Sequence, residues 1–540
     1  MRPLRNTRKL GALALVAAGT LGAAAGCVVL NPDHCAYSGA ACEDGLVCSK
    51  CAIDNNGCVP AVTVSDDQCF YVEGSSTQGP VDTTQGPTPT TEDLPTSTGT
   101  ETSLEPTSTT VDPTLPMTSS ETTETTSGPG CDPAVVVENP ACGGQEPYCL
   151  DGVCVGCGSL PSCVAVEPTK PACEPDSGRC VGCLQSGDCL DPKLPVCDND
   201  VGTCVKCSEH EQCPETACNL ETGECFPPEN VVYVNNTNDP GEIECDDMSG
   251  GATPEAPLCR LQIALAKIQE GKPTTIKVAP GSGQSDPSEM MPGDRTVAIV
   301  PDGKVPSLNV GGDFPALTLN PGNLVFMYRV GIYNNTPIND PAISCTGARL
   351  WLDRQKIYNT QAALVANDCQ VHVRRSVITG HVKGALALTG NAPGAAMLWT
   401  ENSYITANDG KTFGAVNLVG GASANLLYTT IAANNGPVAV IDCIDWTGEL
   451  ALINSALADA GALFGPSCTP DLDGTYTSAP DDPNPYSAFG GNVDGVYSAK
   501  EGGPLKGLAT WIPGYPKVDY NGDPRPALPD DKDYAGADVP

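Results

Sequence analysis

Two columns of side chains are the best placed to do chemistry, and both recur within residues 325–457. Phe326, Trp351, His372 and Trp399, continued by Asn425 and Ala451, hold one position of a repeating pattern. Tyr328, Asp353, Arg374 and Glu401, continued by Leu427 and Ile453, hold the position two residues on. If the copies stack, an aromatic stripe lies beside an acid–base–acid ladder on one outer face. Flat apolar faces edged by hydrogen-bonding groups suit a sugar chain, whose ring faces are apolar and whose rims carry hydroxyls. Two of only 4 Trp in the chain fall in the stripe. The ladder admits a catalytic reading too, with Asp353 and Glu401 bracketing Arg374. Two rungs apart, these carboxylates would stand ~10 Å from each other, slightly wide even for an inverting pair. Ladders of alternating sign are more often structural and worth little per exposed pair, and a loop or another domain could cover the rings. No catalytic signature is present, so Phe326, Trp351, His372, Trp399, Asp353, Arg374 and Glu401 stand as candidate ligand-binding residues and no residue as catalytic.

Metal chemistry has weaker footholds. Asp519-Tyr520-Asn521-Gly522-Asp523 sets oxygen ligands at alternate positions, as Ca²⁺ loops do. The rest of an EF-hand loop is missing, so a structural turn is the simpler reading; no cofactor is assigned, with Ca²⁺ the one ion admitted. Cys180-Val181-Gly182-Cys183 and Cys204-Val205-Lys206-Cys207 have zinc-ligand spacing. An exporting signal and the scarcity of His favour disulfides there, and no thioredoxin-like βαβ pattern supports redox catalysis. His34 and His210 lie among cysteines and indicate nothing specific; His381 reads as a turn residue.

The columns are positioned by a ladder of six copies. Anchors Ile332, Ile357, Ile378, Ile405, Ile431 and Leu457 are 25, 21, 27, 26 and 26 residues apart. Five residues before them stand Met327, Leu352, Val373, Thr400, Leu426 and Leu452, and seven before stand Val325, Leu350, Val371, Leu398, Ala424 and Leu450. All but Thr400 are apolar, and a spacing of two marks one face of a strand. Two residues before the anchor, Gln355, Ser376, Ser403, Thr429 and Ser455 suit a bend; just beyond it, Asn334, Asn359, Asn408 and Asn434 can supply turns. A strand pattern with a period near 25 residues predicts a parallel β-helix, one rung per repeat; a β-sandwich would not hold one register over so many copies. Cys345 and Cys369, and Cys443 and Cys468, are one period apart. Rungs stack at ~4.8 Å, inside the ~4.4–6.8 Å Cα separation of a disulfide, so each pair is expected to staple adjacent rungs.

The whole chain has 540 residues, a formal charge of −37, 29 Cys, 58 Gly, 50 Pro and 5% aromatic residues. That composition predicts disulfide modules, a linker and a repetitive β fold rather than one large globule. The acidic balance excludes nucleic acid and an anionic membrane surface as partners. Residues 1–26 read as a signal peptide, with Arg2, Arg5, Arg8 and Lys9 ahead of an apolar run too short for a span. Residues 27–70 form a small Cys-rich module. Residues 71–130 contain no Cys, Lys or Arg and are dominated by Thr, Ser and Pro. They cannot bury enough apolar surface to offset ordering entropy; fully stretched, such a stalk reaches roughly 190 Å.

Residues 131–226 repeat a cysteine unit opened by Cys157, Cys183 and Cys207, in which covalent staples replace a core. Without Cys27 the cysteines fall into even groups. Residues 231–540 form the β-helix domain, opening on Val231-Val232-Tyr233-Val234. Helical periodicity follows from Cys259 to Ile268, with Gly271 placed to end it and Cys245–Cys259 to pin it as a cap over the first rung.

Three stretches resemble known families. Ala24-Ala25-Gly26-Cys27 resembles the lipobox of bacterial lipoproteins, which implies a diacylated Cys27 at the mature N-terminus; Ala24 stands where that family most often has Leu. The cysteine units resemble repeats of secreted myxobacterial proteins, which implies an extracellular spacer without activity. The strand, Cys-anchored helix, Ile276-Lys277-Val278-Ala279-Pro280-Gly281 segment and stacked rungs resemble the right-handed parallel β-helix, pectin-lyase-like group, whose Asp-rich closing segment the tail from Asp519 to Asp538 resembles. Lyases of that group use a carboxylate-bound Ca²⁺ and an Arg or Lys base. The combined expectation is a lipid-anchored protein of the cell surface or outer membrane whose β-helix head binds or adheres, with extracellular polysaccharide as the ligand class. A polysaccharide lyase or hydrolase and a structural envelope component are the alternatives. The oligomeric state is not legible.

Overall fold

The computed structural model describes residues 131–540 except 133–137, 236–243, 281–287, 310–313, 334–339, 480–481, 527 and 529–530, together with the backbone of two N-terminal strands. In the first of two compact units, residues 1–120, strand Leu46–Cys48 pairs antiparallel with Cys58–Pro60. The segment read as a signal peptide, Cys27, the remainder of the 27–70 module and the stretch read as a stalk lie outside the described residues. The second unit spans Glu121–Pro540 and holds both the cysteine repeats and the solenoid.

Residues 131–226 are four copies of one covalent motif, one more than the sequence spacing suggested. Each copy contains a two-stranded hairpin whose cysteines face each other: Cys149 and Cys154, Cys173 and Cys180, Cys197 and Cys204, Cys218 and Cys225. Each hairpin sulfur bridges to one of the two cysteines that open its copy, in a first-to-third, second-to-fourth pattern such as Cys157–Cys173 and Cys163–Cys180. The pairs with zinc-like spacing therefore belong to separate disulfides, Cys180 to Cys163 and Cys183 to Cys197.

From Val231 onward the chain winds into a mainly β, parallel solenoid with sheets of ten, seven and eight strands. Six regular turns run from Leu317 to Ala458, each contributing one strand to the seven-, the ten- and then the eight-stranded sheet. Val325, Leu350, Val371, Leu398, Ala424 and Leu450 are in register, as are Met327, Leu352, Val373, Thr400, Leu426 and Leu452, and all are buried. The anchors from Ile332 to Leu457 form the facing interior file. The seven-stranded sheet supplies the third wall through pairs such as Leu364/Ala366 and Leu386/Leu388. Helix Leu261–Lys267 seals the upper end with Leu261, Ala264 and Leu265; it stops before Gly271, whose φ of +70° serves the next turn. Cys245–Cys259 ties down the residues before it. At the lower end the last strand of the ten-stranded sheet, Asp471–Asp473, is exposed and acidic.

The corner between the ten- and eight-stranded sheets is two residues long and turns on the first of them. Arg329, Arg354, Arg375, Asn402, Tyr428 and Asn454 all adopt φ between +45° and +52°. No Gly occupies this file, although the left-handed conformation costs an L-residue ~1–2 kcal/mol. Its stabilisation is visible in the backbone: Arg354 N–H donates to Arg374 O and Arg375 N–H to Glu401 O, both at 2.9 Å, so the rung-to-rung ladder runs through the corner unbroken. The bend thus sits one residue earlier than the small polar side chains that the sequence suggested for it. Those side chains point inward and form a hydroxyl file: Gln355 N–H donates to Ser376 Oγ at 2.9 Å, Ser376 N–H to Ser403 Oγ at 3.1 Å, and Thr429 N–H to Ser455 Oγ at 3.0 Å. Thr400, the polar exception in the interior, meets Thr429 Oγ1 at 2.5 Å.

A second buried polar file follows the anchors. His381, Asn408 and Asn434 lie within it rather than in solvent-exposed turns; Asn334 lies outside the described residues, and of the other expected turn Asn only Asn359 has a left-handed φ, +57°. His381 N–H donates to Asn408 Oδ1 at 3.1 Å, Asn408 N–H to Asn434 Oδ1 at 3.2 Å, and Asn434 N–H to Asp459 Oδ2 at 2.6 Å. The stapling cysteines join neighbouring turns, with Cα separations of 6.3 Å for Cys345–Cys369 and 5.3 Å for Cys443–Cys468. They are not stacked equivalents, since Cys345 lies in register with Ala366.

The tail closes over the outside of the eight-stranded sheet. Ala488, Phe489, Leu505, Ala509, Ala535 and Ala537 pack on Tyr404, Tyr428, Ala432 and Ala456. Arg525 fixes the fold-back: it pairs with Asp533 at 2.9 Å, donates to Asn402 Oδ1 at 3.0 Å, and lies 3.8 Å from the Tyr428 ring centre.

The Asn434 side chain accepts from Asn408 Nδ2 at 2.9 Å and donates to Ile405 O and Ala432 O, both at 3.1 Å. Asn434→Ala is expected to destabilise the solenoid by about 3 kcal/mol or more, because buried partners are left unsatisfied. Asn425→Ala, on the outer face, is expected to stay within about 0.5 kcal/mol. Urea midpoints of the two variants measure the difference.

Candidate functional site

The two outer columns form in the expected register, Phe326–Trp351–His372–Trp399 beside Tyr328–Asp353–Arg374–Glu401. Their surroundings are set by the last cysteine repeat, which lies on the upper half of this face. Phe326 is fully buried: Phe226 meets it edge-on at 5.9 Å, and His210 packs at 6.2 Å from Phe326 and 5.0 Å from Tyr328. Ala217, Ala298, Val300 and Leu324 complete this apolar contact. Burying a side chain of that size contributes about 1.5–3 kcal/mol, so the contact is a substantial interface.

Below Phe326 the rings are half-buried and stack on one another. The His372 imidazole lies between two indoles, 3.9 Å from Trp351 at 3° and 4.3 Å from Trp399 at 12°. Burial there holds its pKa down to about 4, so the ring is a neutral spacer at physiological pH.

The acid–base ladder is engaged by the same repeat. Asp353 is fully buried, and Arg374 donates to its Oδ2 at 2.7 Å. Arg374 also donates to Glu209 Oε2 at 3.2 Å and to Ser208 O at 3.0 Å. Glu209 takes Arg375 through its other oxygen and Arg354 at 3.4 Å. Glu211 bonds both Arg354 and the Tyr328 hydroxyl, while Glu221 bonds Arg349 and accepts from Trp351 Nε1 at 3.3 Å. Glu401, one rung below Arg374, is half-buried; desolvation raises its carboxyl above the ordinary range against the pull of Arg374 and Arg375. The charges of Asp353 and Glu209 outweigh the burial of Arg374 and raise its pKa, which keeps the guanidinium charged and paired. Tyr328 is likewise pushed up, first by burial and then by its bond to Glu211.

Some polar atoms in this interface lack partners. Both His210 ring nitrogens and Asp353 Oδ1 are buried without a hydrogen bond. Burial holds His210 down to about 4, reinforced by Arg374 and Arg354 against the opposing charge of Asp353. Beside the interface lies a cleft of about 260 Å³, where Lys277, Asp302, Glu211 and Tyr328 line the wall.

Sequence reasoning placed the columns but missed Glu209, His210, Glu211 and Glu221. A signal existed: an acid-dense stretch at 209–211 faces a cluster of Arg at 349, 354, 374 and 375, in a chain with only 28 Lys and Arg. The expected disulfides Cys245–Cys259, Cys345–Cys369 and Cys443–Cys468 all lie away from this contact. At the tail, Asp538 joins Asp519 and Asp523 with ligand oxygens within 4.8 Å of one another.

Among known families, the profile of a family of unknown function, DUF8331, matches residues 83–231. The match takes in part of the Thr-, Ser- and Pro-rich stretch and all four cysteine repeats, and it ends where the first solenoid strand begins. No curated protein and no solved structure matches the chain.

Two outcomes test the docked repeat. Glu209→Arg is expected to release it, seen as a red shift of Trp emission and easier iodide quenching as Trp351 loses its cover. The second outcome concerns pH. His210 and His372 have folded pKa values near 4 against about 6.5 when unfolded, so the unfolded chain takes up protons first. Their contribution is whole above about pH 6.5 and drains away toward pH 4. His210→Phe, which keeps the ring packing, is expected to make the fall in melting temperature across that window shallower; parallel curves would refute the assignment.

Proposed function

We propose that the protein is a non-enzymatic cell-surface binding or adhesion protein. In this reading a lipid anchor at Cys27, the stalk and the earlier cysteine repeats hold a head, the β-solenoid with the last repeat docked on it, away from the envelope. The observation that carries it is the state of the acid–base ladder. Arg374 donates to both Asp353 and Glu209, and Tyr328 to Glu211. The groups that a lyase or hydrolase would need open to substrate are thus holding two parts of the chain together. Breaking such a buried pair costs about 3–5 kcal/mol, which is a structural role.

Extracellular polysaccharide remains the ligand class that the open part of the stripe suits. Trp351 and Trp399 stay half-exposed, and the rung below Trp399 carries Asn425 in place of a ring. A sugar face laid against that end of the stack would have an apolar platform with an amide at its edge. A second reading, a structural envelope component without ligand, is favoured by the stacking itself, which spends both faces of His372 on its neighbours.

The test is a polysaccharide array probed with the full secreted chain. Binding to at least one polymer that weakens tenfold or more in Trp399→Ala, at an unchanged melting temperature, is the expected result. No binding across the array leaves the structural reading. Release of unsaturated or reducing ends that is lost in Arg374→Ala, with the fold checked by circular dichroism, would overturn the non-enzymatic assignment.

A further inference from the structure

The closing segment carries a cluster of carboxylates that neither the docked repeat nor the aromatic stripe uses. Asp519 and Asp538 are buried, while Asp523 stands exposed at the mouth. The loop is already shaped around them: Asp519 Oδ1 accepts from Gly522 N–H and Asp523 N–H, both at 2.9 Å, and its Oδ2 from Val539 N–H at 3.0 Å. Asn521 Nδ2 donates to Asp538 Oδ1 at 2.9 Å. The neighbouring cation, Arg525, is committed to Asp533 at 2.9 Å and to Gly536 O at 3.0 Å. Two buried acids side by side without a cation of their own must share a proton or take up a metal ion.

A separate observation comes from the solenoid wall. Tyr404 is fully buried beneath the tail, and its hydroxyl has no hydrogen-bond partner. Its ring meets Tyr520 edge-on at 5.0 Å, and the hydroxyl lies in the field of Asp538 and Asp519. A buried phenol oxygen left unsatisfied is unfavourable; an oxygen-seeking ion would satisfy it and the carboxylates together.

We propose that Asp519, Asp523, Asp538 and the Tyr404 hydroxyl form a Ca²⁺ site that clamps the closing segment to the solenoid. The donor set is all oxygen, which suits a hard cation. Ca²⁺ takes 6–8 such ligands in flexible geometry, whereas Mg²⁺ demands a tighter octahedron and keeps its water. Water entering beside exposed Asp523 completes the shell. This inference is independent of what the head binds.

Tyr-sensitised terbium luminescence on the full, disulfide-bonded chain tests it, followed by displacement with Ca²⁺. One saturable site is expected, displaced by Ca²⁺ far better than by Mg²⁺, with a melting temperature several degrees higher in Ca²⁺ than in chelator. Asp523→Asn, an exposed position that leaves the fold intact, is expected to weaken binding tenfold or more. Tyr404→Phe is expected to weaken both binding and sensitised emission. No saturable binding would leave a proton-sharing carboxylate pair only. Binding indifferent to both substitutions would place the ion elsewhere on this acidic chain. Either result overturns the proposal.

Discussion

Rung-to-rung hydrogen bonding carried through a corner of fixed, two-residue length is the constraint on which the rest of this molecule depends. A corner that short leaves no slack between the ten- and eight-stranded sheets, so side chains seven and five residues before each anchor must face the same interior as the anchor. A slip by one residue would turn every apolar file outward. The left-handed conformation at Arg354 or Asn402 is unfavourable for a non-Gly residue, but the backbone bond it preserves and the hydroxyl file just inside it offset that cost. Interior polarity is thus part of the register: Ser376, Ser403 and Ser455 accept the amide of the rung above, which an apolar residue could not do.

Because the corner side chains point outward, the same file also determines what lies against the solenoid. In the upper turns Arg354 and Arg375 take the carboxylates of the last cysteine repeat. In the lower turns Asn402 and Asn454 bond the tail, through Val518 O at 2.8 Å and Thr510 O at 2.9 Å, and Tyr428 lies under Arg525. A single column of structurally equivalent positions addresses two different appendages by residue type alone. The repeat is thereby a part of the head: it contributes Phe226 and His210 to an apolar contact with Phe326 and Tyr328.

The legible parts of the fold were those with fixed spacing. The anchors and their two companion files follow a rigid corner and read directly from sequence. The seven-stranded sheet did not, because its connection to the next strand varies from Gly347–Ala348 between Thr346 and Arg349 to a longer loop between Gly390 and Met397. Asn408 and Asn434 were misread as turns because Asn serves turns and buried amide files equally well, and nothing local separates them. The stapling cysteines were placed on adjacent turns by a stacking argument that their actual offset does not follow. At the candidate site, residue types gave both columns, but their cover joins positions 117 to 166 residues apart, as between Tyr328 and Glu211 and between Arg375 and Glu209. Periodicity carries no information at that range; only complementary charge did.

The two ends of the solenoid are finished differently. A helix plugs the top, whereas the bottom of the widest sheet ends in Asp471–Asp473, exposed and doubly acidic. An uncapped parallel edge invites another strand to add. Here two copies meeting bottom to bottom would bring their carboxylates to the same rim, and like charges would meet before backbone could pair. A head-to-tail approach would offer the helix of the other end instead of a free strand, so growth into fibres is disfavoured in both directions.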